Sequence, residues 1–302
     1  MKGRKKIINA IVTGITGFFA FAVIGMIVVI MAIIIHGGWH QMSWEFLTSA
    51  PEEGMTKGGI FPAIVGTFLL TLIMSVVGVP IGTLTAVFLC EYVPEKSPVT
   101  RAVRFAVNTL AGIPSIVFGL FGLGFFVQFM GPGLDKILTP PGEIRWAQPN
   151  ILWASLTMAV LTLPVVIVSV EEAIRSVPHD LREASLALGA TKWQTVSRVV
   201  IPNSFTGILT GAILAVSRGA GEVAPILFTG AAYFLPHLPS SLSDQFMNLG
   251  YHVYIMATQS ADVDATRGIQ YATTLTLLLL TFTLNFSAIF LRYQVRKRAI
   301  QS

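Results

Sequence analysis

The stretch Arg182-Glu-Ala-Ser-Leu-Ala-Leu-Gly-Ala-Thr-Lys-Trp193, with Val199-Val-Ile-Pro202 six residues further on, decides how the rest of the chain is read. It lies in the most charged part of the sequence, residues 171–203, between two apolar runs. Pro178 can open a helix, and Asp180 sits near its start, where negative charge suits the helix dipole. Ala184, Leu186, Ala187 and Leu188 offer a small apolar surface, and Gly189 permits a turn that a bulkier residue resists. A second short helix through Trp193 then leads to Pro202 and the next apolar run. The expected shape is a helix, a sharp turn and another helix on a membrane face, suited to a partner's groove.

Outward from this stretch the chain is apolar. Of its 302 residues, 53% are hydrophobic and only 12% charged, about half the charge of a typical soluble domain, and the mean hydropathy is +0.72. A soluble multi-domain enzyme and a disordered chain are excluded. With Cys90 as the single cysteine there is no intrachain disulfide, and five histidines with no close pair argue against a transition-metal enzyme. About 20 apolar residues cross the hydrocarbon of a bilayer. Six runs qualify: 7–35, 62–90, 105–130, 151–170, 205–234 and 269–291. The start, Met1-Lys-Gly-Arg-Lys-Lys6, looks like the n-region of a signal peptide. The apolar run after it is far longer than a signal core and lacks a small-residue cleavage site, so it is expected to be a retained span. Fifteen lysines and arginines fall on the side shared by the two termini and four (Lys57, Lys136, Arg145, Arg267) on the other. That asymmetry puts both termini in the cytoplasm. It also accounts for most of the net charge of +5 without a nucleic-acid partner.

The loop stretch resembles the EAA loop of ABC importer permeases, whose pattern is E-A-A, three residues, G, nine residues, I-x-L-P. Here Glu183-Ala184-Ser185, three residues, Gly189, nine residues and Val199-x-Ile201-Pro202 reproduce the spacing, with Ser185, Val199 and Ile201 as mild departures. An ordinary interfacial amphipathic helix explains the polarity but not the spacing. The resemblance implies that Glu183, Ala184, Ser185, Gly189 and Pro202 belong to a coupling element seated in an ATPase subunit. No G-x-x-x-x-G-K-[S/T] loop occurs in the chain, so ATP and magnesium are expected on a separate subunit, with no cofactor bound here.

The fifth run contains Ser217-Arg-Gly-Ala-Gly-Glu-Val-Ala-Pro225. A charge near the bilayer centre costs at least ~2.5 kcal/mol, so Arg218 and Glu222 should face protein or a watery path. Four residues apart, they would share a helix face, and Gly219, Gly221 and Pro225 make that helix irregular. Three readings stand together: Arg218 binds an oxyanion through its planar fork, the two charges form a packing ion pair, or Glu222 accepts a proton from a protonated oxyanion. The segment resembles the (A/S)-R-x-x-G-E-T-A-P element of phosphate-import permeases, with Val223 in place of threonine. Asn108-Thr-Leu-Ala-Gly-Ile-Pro-Ser-Ile-Val-Phe-Gly-Leu120 resembles their third-span motif. Leu235-Pro-His-Leu-Pro-Ser-Ser241 and Tyr254-Ile-Met-Ala-Thr-Gln-Ser260 resemble the PstA-type rather than the PstC-type subunit.

The resemblance implies an all-α, six-span type I ABC importer permease in the inner membrane of a prokaryote, transporting phosphate. Implied partners are a homologous PstC-type permease, an ATPase dimer and an extracytoplasmic phosphate-binding protein. Residues 1–57 are expected to form a tail, first span and outer loop, and 58–298 the permease core. The rivals are a permease for molybdate or sulfate, an ion-coupled secondary transporter, which would more often show inverted repeats and several membrane carboxylates, and a membrane enzyme, for which no nucleophile–base set is visible. His237 and His252 read as surface residues of the last outer loop. Gly78/Gly82 and Gly207/Gly211 read as close helix contacts.

Overall fold

The computed structural model describes residues 2–260 and 263–301. The helices that carry the argument are α1 (Lys2–Gly38), α2 (Phe61–Tyr92), α3 (Pro98–Ala111), α4 (Ser115–Leu138), α5 (Ile151–Arg175), α6 (His179–Ala187), α7 (Lys192–Gly221), α8 (Leu249–Thr258) and α9 (Val263–Gln301). Among the described residues, six helices are long and apolar enough to cross a membrane: Asn9–Gln41, largely in α1, then α2, α4, α5, α7, and Thr266–Gln294 within α9. The chain is a multi-pass membrane protein. Between α1 and α2 lies a two-residue antiparallel ribbon pairing Pro51 with Gly58 and Glu52 with Lys57.

The core is the packing of α2, α5 and α7, and small residues set its spacing. Gly78 faces Ala159, and a Cβ at Gly82 would lie 2.6 Å from Val166 Cγ1. On α7, Gly207 faces Ala173 and Gly211 faces Ser169. The close contacts expected from these glycine pairs are therefore made within the chain. α9 runs antiparallel to α7, joined by Arg292 Nη1 donating to Thr210 Oγ1 (3.0 Å) and Ser217 Oγ donating to Asn285 Oδ1 (2.6 Å). α1 meets the start of α9 where Gly37 and Gly38 press on Tyr271 and Ala272. Both chain ends consequently lie at the end of the bundle that holds α6. In α9, the hydroxyls of Thr274, Thr276, Thr281 and Thr283 bond the carbonyls four residues back, the usual arrangement for threonine in a membrane helix.

Four expectations change. The third span begins at Ser115 rather than 105: Pro114 disfavours helix at Ile113, so the amphipathic α3 stops at Ala111. The fifth span begins at Lys192 and ends at Gly221, not 205–234. Pro202 sits inside α7 after a π-type turn at Val196–Val200, which absorbs the hydrogen bond a proline cannot make. Asn203 Nδ2 and Ser204 Oγ take the carbonyls of Val199 and Val200 at 2.7 and 2.8 Å. The second helix of the loop is thus the start of a span and not a short separate piece. The last outer loop folds inward, with Phe246, Met247 and Leu249 in the core, and His252 on α8 is 2% exposed rather than on the surface. His237 is exposed.

Candidate functional site

α7 ends where its sequence runs out of helix formers. Gly219 and Gly221 bracket its last turn, and Glu222 already has an extended backbone (φ −82°, ψ 133°). Pro225 follows, buried and without an N–H to donate. The chain then folds into tight turns: Gly230 N and Ala231 N donate to Ile226 O at 3.2 and 3.1 Å, and Asn150 N donates to Thr229 O at 2.9 Å. Gly119 of α4 lies against the Pro225 backbone, and Gly122 against Thr157 and Thr229. Broken helix inside a membrane is tolerated where protein surrounds it, and this segment is so surrounded.

Arg218 occupies the last turn of α7, where a cation complements the helix dipole. Its Nε lies 3.7 Å from Glu222 Oε1, and the two side chains are 42% and 24% exposed. Glu222 is the one carboxylate within 4 Å of Arg218 among the described residues. The pair forms even though Glu222 has left the helix, so a shared helix face is not what joins them. Depth follows from the neighbour at Gly219, which packs on Met74 of α2 and Met158 of α5. Met158 is seven residues inside α5, roughly 10 Å from its first turn. Leu214, Arg218 and Gly221 form an exposed stripe that the rest of this chain leaves uncovered. The guanidinium therefore stands on an open face, at membrane depth, near a break in its own helix.

The loop residues form a second locus at the opposite end. α6 carries Glu183, Ala184 and Ser185, and Gly189 turns the chain at φ +84°. Glu183 points outward, its Oε1 3.2 Å from His179 Nδ1. Ser185 Oγ meets Thr195 Oγ1 at 3.0 Å, tying α6 to α7. Leu188 (89% exposed) and Trp193 (63%) stand beside the turn. Pro202 is not in this cluster: it lies ten residues up α7, roughly 15 Å away. A group that sequence reasoning left out is Glu91, which meets Arg182 at 2.9 Å and Lys192 at 3.4 Å beneath α6.

At the end of the bundle away from the termini, a cavity of about 540 Å³ is lined by Arg145, Gln148, His237, Ser240 and Asp244 among others. Partial burial works against the Asp244 carboxylate. The hydrogen bonds it accepts from Ser240 Oγ, Ser240 N and Ser241 N (2.8–2.9 Å) nevertheless hold its pKa below the usual value.

Residues 78–301 match the family model described as "Binding-protein-dependent transport system inner membrane component". The chain belongs to that family. Among relatives of this transport-system component, the "Probable ABC transporter permease protein YqgI" of Bacillus subtilis is 34% identical over 86% of this chain and 87% of its own length. The "Phosphate transport system permease protein PstA 1" of Mycobacterium tuberculosis is 30% identical over 98% and 92%. Among solved structures, a chain of the bacterial alginate ABC transporter superposes with a TM-score of 0.60 at 16% identity, covering 93% of this chain and 94% of its own. A chain of the MetNI methionine ABC transporter gives 0.52 at 20% identity, covering 78% and 94%. The six-helix architecture is thus the fold of type I ABC importer permeases.

Proposed function

We propose that this chain is a PstA-type permease subunit of an ATP-driven phosphate importer in the inner membrane of a prokaryote, with both termini cytoplasmic. The relatives named for phosphate transport support the substrate. The excess of basic residues at the end that carries the termini supports the orientation. A homologous PstC-type permease covers the open face of α7, so that the pathway runs between the two chains. An ATPase dimer, holding ATP and magnesium, seats α6 and its Glu183–Gly189 segment. An extracytoplasmic phosphate-binding protein delivers the anion at the opposite end.

The observation that carries this reading is the Arg218 guanidinium on an unfilled face at membrane depth. Its fork binds two oxygens of an oxyanion. Glu222 neutralises it when the path is empty, and it accepts the P–OH hydrogen of hydrogen phosphate when the path is filled. Sulfate at neutral pH has no such hydrogen to give. The ATPase drives the cycle by favouring one of two conformations of the permease pair, which requires different contacts in each.

The test is uptake into vesicles holding the complete transporter. ATP-dependent accumulation of labelled inorganic phosphate, undiminished by excess sulfate or molybdate, is the expected result. Equal competition by molybdate would move the assignment to another oxyanion.

A further inference from the structure

Glu91 ends the apolar run of α2 at the end of the bundle that carries α6. Its side chain is only 5% exposed, yet two cations reach it: Arg182 Nε donates to Oε1 at 2.9 Å, and Lys192 Nζ lies 3.4 Å from Oε2. Arg182, itself 15% exposed, uses its other nitrogens on the end of α5. Nη2 donates to Ile174 O, in the last turn of α5, at 2.8 Å, and Nη1 to Val177 O, in the turn just after it, at 2.6 Å. Carbonyls at a helix C-terminus lack partners within the helix, so this one guanidinium satisfies the end of α5, pairs with the end of α2 and belongs to α6. Lysine, with a point charge in place of a planar fork, cannot hold all three at once.

A carboxylate this buried is costly to leave unpaired, so α6 cannot shift against α2 without breaking the pair. On α2, Met74 is seventeen residues from Glu91, roughly 25 Å along the helix, and Met74 is the side chain packed on Gly219 beside Arg218. A continuous lever therefore runs from α6 through Arg182 and Glu91 along α2 to the turn that carries Arg218.

We propose that Glu91 and Arg182 form the clamp that converts displacement of α6 into displacement of α2 and α5, with Glu91 as a positioning residue for coupling. The proposal rests on the reading of the chain as an ATP-driven permease. Glu91 touches neither substrate nor ATPase, and its contribution is to make α6, α2 and α5 move as one body.

The experiment uses the complete transporter, with its ATPase, partner permease and binding protein, in vesicles. ATP hydrolysis and labelled phosphate uptake are measured on the same preparation, and assembly is followed by co-purification. Glu91→Gln and Arg182→Lys are expected to assemble and hydrolyse ATP as the wild type does. Their uptake per ATP should fall about tenfold or more, the scale of one lost charge-assisted hydrogen bond. Glu91→Asp, which keeps the charge, should recover part of that ratio. An unchanged ratio, a parallel fall of hydrolysis and uptake, or loss of assembly in both variants would overturn the clamp, because a purely structural pair gives those results. Wild-type vesicles that hydrolyse ATP without moving phosphate would instead contradict the transport reading; failure of the clamp alone leaves wild-type uptake intact.

Discussion

Gly189 closes α6 in the left-handed region, at φ +84°. Two hydrogen bonds define the turn, Gly189 N to Leu186 O at 2.9 Å and Ala190 N to Ser185 O at 3.2 Å, the pattern of a Schellman cap. Most L-residues pay about 1–2 kcal/mol to sit there, whereas asparagine, whose short side chain can hydrogen-bond the local backbone, pays less. A Cβ built at Gly189 meets nothing within 4 Å, so alanine adds a backbone cost and no clash. Strain of that size sets a ceiling of roughly 5- to 30-fold on the weakening of any partner that needs the turned loop. Titrating the ATPase subunit onto the permease pair in detergent should give a several-fold weaker Kd for Gly189→Ala and a near wild-type Kd for Gly189→Asn. Gly189→Trp should bind worst, because its ring fills the space the partner needs. Asparagine as poor as alanine would refute the left-handed cap as the determinant. Tryptophan no worse than alanine would refute the placement of the partner.

Three further outcomes follow from packing and burial. A Cβ at Gly122 lies 2.7 Å from Thr229 Cγ2 and against Thr157, both fully buried; Gly122→Ala should cost about 1–3 kcal/mol of stability through overpacking, read as a lower Tm in detergent. Ser217→Ala removes the 2.6 Å bond to Asn285 between α7 and α9 and should cost about 1 kcal/mol in the same assay. Burial holds the His252 imidazole down to about 4 from its ordinary 6.5. Between those values the unfolded chain binds more protons than the folded one, so stability should fall as pH drops from 6.5 to 4, by up to about 3 kcal/mol. His252→Gln should flatten that slope, and an equally steep slope in the variant would count against the buried neutral imidazole.

The spans were legible in the sequence because hydropathy alone marks them, and the loop was legible because its glycine and carboxylate keep a fixed spacing. Break points were harder. Pro114 cuts a run that hydropathy leaves continuous, while Pro202 cuts nothing because a π-type turn absorbs it. Arg218 and Glu222 stood out as charges in an apolar run, yet their geometry depends on a helix end that composition did not locate. His252 looked like a loop residue because nothing local shows that the chain from Phe246 to Thr258 folds back into the core. Glu91 was invisible as a hub: its partner Arg182 is 91 residues away, and no periodicity reports a contact of that range.

The central claim is that the Arg218 guanidinium holds the passing anion. Its ion pair with Glu222, at 3.7 Å, is partly exposed in the single chain, but Arg218→Gln leaves that carboxylate unpaired at membrane depth, where a lone charge is costly, so assembly is measured beside transport. The most direct measurement is ATP-driven uptake of labelled phosphate by the assembled Arg218→Gln transporter. Normal assembly with uptake nearly abolished is the predicted result, and uptake at the wild-type rate would contradict the account.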